Sequence, residues 1–280
     1  MITETKSPYV AEIESWQQQM ESDLRAPDSW LALVGLEPLV TGDNTIGSAP
    51  DCAVHLPESV PAHIGIVTVK DNIVTMRPTS ADIKIDGTPM VVGETYTLNN
   101  HHDKDDGLPL VNIGSVTFFA IERDGDFFIR IRDANNPVRL NFKGRKWYPV
   151  DPTYHVKATF TPHASKQPVS VENSKGLISI LQNVGYAEFE LLGERRRLEA
   201  FEATGNKLWF IFRDATSGKT TYGAGRFLYA PIQADGLIDL DFNKAYHPPC
   251  AFTAFAMCPY PPRENILTIP ISVGEQFSEH

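Results

Sequence analysis

The sequence predicts a mainly β protein: an N-terminal helix, then a β-sandwich, then a second antiparallel module closed as a barrel or sandwich. Three observations predict it. Only the opening stretch carries a helical repeat. After Trp30 the chain breaks into short apolar runs rich in Val, Ile, Phe and Tyr. The breaks between those runs carry turn residues at hairpin spacing, which is the signature of closed antiparallel sheets.

The helix comes first. Tyr9, Ile13, Trp16, Met20 and Leu24 recur at steps of four and three, so they share one face. Ser7 is placed to cap it, Pro8 suits its first turn, and Pro27 stops it. A stripe this aromatic has to dock on the protein body. The first strands expected are 64–69, 73–77, 83–85, 116–122 and 127–132, broken by Lys70-Asp71-Asn72, Asp86-Gly87 and Asp124-Gly125. Strands resume at 156–161, 187–192, 197–202, 208–212, 225–229 and 237–242. Asp151-Pro152, just after Trp147-Tyr148-Pro149, marks the expected boundary. The expected domains are therefore 1–29 (helix), 30–150 (sandwich) and 151–280 (second β module).

A net charge of −10 disfavours a phosphate-binding face, so no nucleic-acid partner is expected. The one dense basic run, Arg195-Arg196-Arg197, is flanked by Glu194 and Glu199 and reads as a solvated hairpin. No stretch approaches the ~20 apolar residues of a membrane span, and the opening residues lack an apolar signal core. The expectation is a soluble cytoplasmic protein. Three cysteines, Cys52, Cys250 and Cys258, do not make a disulfide framework.

Several motifs invite chemistry. Ala215-Thr216-Ser217-Gly218-Lys219-Thr220-Thr221 contains the GKT of a P-loop. The position of the first P-loop glycine is Arg213, however, and both flanks read as strands, so no helix N-terminus stands behind it. The stretch is expected to be a turn with Gly218 at positive φ. Tyr222 and Arg226 fall on one face of the strand expected after it. Asp239, Asp241 and Asn243 share a face by alternation, which leaves them exposed or lining a groove. An EF-hand is excluded, because Lys244 occupies the glycine position and Cys250 the closing glutamate. His247 and Cys250, in Tyr246-His247-Pro248-Pro249-Cys250, suggest a thiol–imidazole pair, but an extended chain holds them apart. Cys250 and Cys258 lack a second ligand pair for zinc, and neither a metal nor a cofactor is expected. His101-His102-Asp103-Lys104-Asp105-Asp106 reads as an acidic surface loop. Arg213 and Asp214 suit an ion pair with Arg226 or Asp241, or an anion clamp.

Two resemblances add to this. Ile46-Gly47-Ser48, Val54-His55-Leu56-Pro57, Ile83-Lys84-Ile85-Asp86-Gly87 and Leu110-Val111-Asn112-Ile113-Gly114 resemble a forkhead-associated (FHA) domain, an FHA/SMAD-like β-sandwich whose loops read phosphothreonine. Ser48 stands where that chemistry needs an arginine, Val60-Pro61-Ala62-His63 replaces the serine loop, and Asp82 would repel phosphate. The chain from Trp16 to Gly274 resembles Domain of Unknown Function 1684, a family of uncharacterised bacterial and archaeal proteins. The resemblance is carried by Leu24-Arg25-Ala26-Pro27-Asp28-Ser29-Trp30, Trp147-Tyr148-Pro149-Val150-Asp151-Pro152, Arg213-Asp214-Ala215-Thr216-Ser217-Gly218, Thr221-Tyr222-Gly223-Ala224-Gly225-Arg226 and Asp241-Phe242-Asn243-Lys244-Ala245-Tyr246-His247-Pro248-Pro249-Cys250. It implies a family and no function.

The reading is a ligand- or partner-binding β protein whose candidate site residues are Arg213, Asp214, Tyr222, Arg226, Asp241, Asn243, His247 and Cys250. The partner would be a small molecule or a protein. Two alternatives stand beside it: a hydrolase using Asp241 or His247 as general base with Arg226 steadying charge, and a degenerate FHA-type adaptor.

Overall fold

The structure is a computed structural model that describes residues 7–99, 107–123, 125–233 and 235–277. The 101–106 loop, and Asp124 of the expected Asp124-Gly125 turn, lie outside the described residues. The protein is mainly β. Its chain gathers into two compact units, residues 24–142 and residues 143–280 together with 1–23. No helix is long and apolar enough to cross a membrane among the described residues.

Unit 24–142 contains two sheets. One runs in the order Leu33–Pro38, Asp126–Asp133, Val116–Arg123, Val111–Ile113, Lys84–Ile85, Thr88–Pro89. The other runs Val54–His55, Gly42–Gly47, Gly65–Lys70, Ile73–Pro78, Tyr96–Thr97. Alternate side chains are buried along Gly65–Lys70, as period-two geometry requires. Ile46, Val67 and Met76 meet Val111, Phe118 and Ile131 in one core. The expected turns form as their chemistry dictates. Asp71 and Asn72 have φ of 51° and 61°, and Asp86 and Gly87 of 48° and 79°, the doubly positive pattern that matches the twist of paired strands. Leu33–Pro38 and Gly42–Gly47 were not anticipated as strands, because Gly, Pro, Asp and Asn interrupt their apolar pattern.

The other unit opens with α1, Pro8–Arg25. Ser7 caps it through its side-chain oxygen to Val10 N at 3.3 Å and its carbonyl to Ala11 N at 3.1 Å. The predicted stripe docks on this unit: Ile13 is fully buried, Tyr9 stacks on His155 at 5.3 Å, and Trp16 meets Trp147 edge-on at 5.5 Å. The unit's main sheet has six strands, β1 His155–Glu172, β2 Ile178–Leu191, β3 Glu194–Glu202, β4 Lys207–Phe212, β5 Arg226–Pro231 and β6 Leu237–Asp241, beside a two-stranded ribbon of Lys146–Trp147 and Glu275–Gln276. Its order is β5-β4-β3-β2-β1-β6, every pair antiparallel. A bridge from Ile232 to Ile238 brings the two edges together, so the sheet is a nearly closed barrel. A barrel this small is filled by its own side chains: Phe189, Leu198, Phe210, Leu228 and Leu240 occupy the inside. Phe242 stops one end, 5.6 Å from both Phe189 and Phe212.

The β2–β3 turn places Leu192 and Gly193 at φ 54° and 78°. In the hairpin it closes, Arg196 pairs with Glu194 and Arg197 with Glu199, so part of the basic run is neutralised locally. β1 and β2 run farther than the sequence suggests, to Glu172 and from Ile178. The register shift between Pro162 and Gln167 that lets them continue past a proline is not visible in an alternation pattern.

A chain segment beyond the barrel seals it. Asn265, fully buried, donates to the carbonyls of Glu199 and Ile211 at 3.0 and 2.9 Å and accepts from Glu199 N at 2.7 Å. Arg226 grips the same segment a few residues later. Its guanidinium donates to Asp214 Oδ2 and Ile271 O, each at 2.8 Å, and to Val273 O. Gly225 makes that approach possible. It sits at φ 104°, and a Cβ there would lie 2.5 Å from Phe212 O. Gly225→Ala should therefore cost on the order of 2 kcal/mol or more in urea unfolding. A loss below about 0.5 kcal/mol would show that the corner relaxes freely.

Candidate functional site

The GKT stretch is a turn. Thr216, Ser217, Gly218 and Lys219 fold back with Gly218 at φ 77°, and the chain runs on through a second turn into strand β5 with no helix between. Asp214 organises it by accepting from Thr216 N at 2.8 Å and Thr216 Oγ1 at 2.6 Å, and Thr216 Oγ1 lies 2.8 Å from Thr221 Oγ1. The strand expected from Gly225 starts at Arg226, so Tyr222 lies in the turn and not on the strand face with it.

The eight candidate residues do not converge on one mouth. Asp214 and Arg226 form a wholly buried ion pair inside the scaffold. Asp241 and Asn243 form a second group with the helix. Asp241 Oδ1 accepts from Tyr9 Oη at 2.8 Å and from Asn243 N at 3.1 Å, and Asn243 bonds both the N–H and the carbonyl of Asp151 at 2.9 Å. Burial and the Asp241 acceptor push the Tyr9 hydroxyl far above its ordinary range. The expectation of a groove-lining Asp-x-Asp-x-Asn face is corrected here, since Asp241 and Asn243 are 6% and 1% exposed. They leave the strand alternation because Asp241 caps a tight turn over 242–244. Asp239, partly exposed, pairs with Lys157 at 2.6 Å.

A third network joins Tyr222, His247 and Cys250. His247 Nε2 accepts from Tyr222 N at 3.2 Å, which puts the proton of neutral imidazole on Nδ1, 3.7 Å from Glu275 Oε1. Tyr222 Oη donates to Cys250 O at 3.0 Å. Burial raises the Tyr222 hydroxyl. The Cys250 thiol is lowered by its hydrogen bond with Cys258, against the effect of burial. The extended run anticipated between His247 and Cys250 ends at Pro249, where a turn over 249–251 begins. Glu275, which the sequence did not single out, is the acid of this network. Its Oε2 takes Arg145 Nη1 at 2.6 Å and His247 N at 2.8 Å.

Among the clefts on this unit are two lined by described residues. One, of about 480 Å³, is lined by Arg213, Tyr222, Gly223, Ala224, Tyr260, Pro261 and Ile266, so only Arg213 and Tyr222 of the candidates reach it. The larger, about 640 Å³, holds none of them. Its walls are Trp16 and Met20 from α1, Glu202, Ala203, Thr204, Lys207 and Trp209, then Tyr229, Pro231, Lys244 and Tyr246. Trp209 and Tyr229 are cross-strand partners whose rings stack nearly parallel, 6.2 Å apart with an interplanar angle of 9°. Tyr246 continues the ladder at 6.5 Å and 21°. The outward aromatics of 207–212 and 226–231 carried this signal, but Trp16 and Tyr246 join them only through tertiary docking. In unit 24–142, ligating atoms of Asp51, Cys52 and His63 lie within 4.8 Å of one another. This donor set suits a borderline-soft divalent cation, although Asp51 and His63 already pair at 3.2 Å on the surface.

Burial pushes the Glu275 carboxyl up to about 7, against the pull of the Arg145 guanidinium. A carboxyl raised from 4.5 binds its proton more tightly in the folded state, so its contribution is full below pH 4.5 and is lost as pH rises through 7. The unfolding free energy of the protein, minus that of Glu275→Gln, should therefore fall by about 3 kcal/mol from pH 4.5 to 7. A difference that does not change with pH would contradict this.

No curated protein matches the chain. A solution NMR structure of an uncharacterized protein of Haloarcula marismortui is 36% identical, over 50% of this chain and 79% of that one, with a TM-score of 0.42. Residues 140–276 match the model described as "Protein of unknown function (DUF1684)", and the chain belongs to that family.

Proposed function

We propose that the barrel unit is a small-molecule-binding module whose ligand, a planar apolar group bearing one anionic substituent, lies in the aromatic cleft. The observation that carries this reading is the Trp209–Tyr229–Tyr246 ladder beside an uncommitted lysine. These rings stand on the outer face of a barrel whose inside is already filled, and Tyr229 remains 41% exposed. Stacked rings of this spacing offer flat faces to a planar guest. The indole N–H of Trp209 is buried without a hydrogen-bond partner, a polar group left unsatisfied at the cleft wall.

Charge selects the guest's sign. Glu202 is held by Lys166 at 2.6 Å and Lys244 by Glu12 at 2.8 Å. Lys207 has no acidic partner among the described residues, so the cleft's unspent charge is positive. The polar residues first expected to line a pocket support this reading from behind, because Asp241 and Asn243 fix Tyr9 and with it the helix that brings Trp16 and Met20.

The test uses 2-naphthoate as probe and amide chemical shifts as readout. Shifts should cluster at Lys207, Trp209, Tyr229 and Tyr246, and Tyr229→Ala and Lys207→Glu should each weaken binding about tenfold, roughly 1.4 kcal/mol. Perturbation centred on Arg213 and Tyr222, absence of perturbation, or unchanged affinity in both variants would overturn it.

A further inference from the structure

Ligand binding in the aromatic cleft leaves two neighbouring thiols unused. We propose that Cys250 and Cys258 form a redox-active dithiol that exchanges with low-molecular-weight disulfides and closes a reversible intramolecular disulfide.

The two residues are eight apart in sequence, yet the amide N of Cys250 lies 3.2 Å from Cys258 Sγ. Adding the ~1.46 Å N–Cα bond puts the Cys250 Cα within roughly 4.7 Å of that sulfur, inside the reach of a disulfide side chain. Both ends are held. Cys250 sits in the tight turn 249–251 behind Pro248, and Tyr222 Oη takes its carbonyl. Cys258 is fixed from the β1–β2 hairpin end: its N–H donates to Ser174 Oγ at 3.0 Å, and its carbonyl accepts from Ser174 N at 2.9 Å. Ser174 Oγ in turn donates to Ala256 O at 2.9 Å. Closure therefore requires side-chain rotation and little backbone movement.

The pair is asymmetric, as an exchange site requires. Cys250 is half-buried, whereas Cys258 is 4% exposed. Cys250 is the more accessible sulfur, and the adjacent Cys258 side chain lowers its thiol despite burial, which makes it the attacking group. By contrast, burial and Asp51 raise the Cys52 thiol. In the first exchange, the Cys250 thiolate attacks one sulfur of R–S–S–R, forms a mixed disulfide and expels RS⁻. RS⁻ takes the Cys258 proton. In the second, the Cys258 thiolate attacks the Cys250 sulfur and expels another RS⁻, which takes the proton Cys250 released. Two protein thiols are oxidised by two electrons, and the small disulfide is reduced to two thiols.

The test is incubation of the full chain with glutathione disulfide, then alkylation and peptide mass mapping. The expected product is one Cys250–Cys258 cross-link, two hydrogens lighter and reversed by dithiothreitol, with Cys52 alkylated. Cys258→Ser should accumulate glutathione on Cys250, and Cys250 in that variant should react about tenfold faster than Cys52. If the variant does not fold, the cross-link in the unaltered chain decides alone. Alkylation of both Cys250 and Cys258 after native incubation, or glutathione on Cys52 alone, would overturn the proposal.

Discussion

A guanidinium buried with no solvent exposure dictates the arrangement of the barrel unit. Guanidinium groups are charged in proteins, so that of Arg226 must have its charge met where it lies. Asp214 supplies the counter-charge, the carbonyls of Ile271 and Val273 supply acceptors, and the Phe212 ring lies 5.4 Å from the guanidinium carbon. Those two carbonyls belong to the segment that closes the barrel. The pair thus ties strand β5, the turn after β4 and the closing segment to one point. Removing either partner leaves a buried charge, which is far costlier than never having had the pair. The arrangement therefore specifies one conformation more than it adds stability.

Much of the unit hangs on that point. Once Val273 is held, Glu275 is carried to Arg145 and His247, and Tyr246 is brought against Phe227 by a backbone bridge. Tyr246 in turn completes the ladder with Tyr229 and Trp209. On the other side, Asp241 caps its turn and holds Tyr9, so α1 lies with Trp16 and Met20 at the same cleft. The polar residues build the frame, and the aromatic residues outside the barrel line the cleft proposed to take the ligand.

This division explains how much was legible in the sequence. The helix stripe from Tyr9 to Leu24, the strand series and the Asp-Gly and Asn turns each arise from local chemistry, and local chemistry is readable. The GKT turn was readable too, because two strands flank it. The site was harder. Arg226, Asp241 and Asn243 look like a surface constellation when alternation is the only guide, since the sequence does not show that Asp241 ends its strand by capping a turn or that Arg226 points inward. Glu275 gave no signal at all, as its partners are Arg145 and His247, far away in the chain. The aromatic cleft needs four segments at once, and no single segment announces it.

If the Asp214–Arg226 pair fixes the closing segment as one coupled unit, the two residues must depend on each other energetically. The most direct measurement is the unfolding free energy of Arg226→Met, Asp214→Leu and the double variant. The expected result is a loss of about 3–5 kcal/mol for each single change and a double variant that loses clearly less than their sum. Single losses near 1 kcal/mol, or losses that simply add, would contradict it.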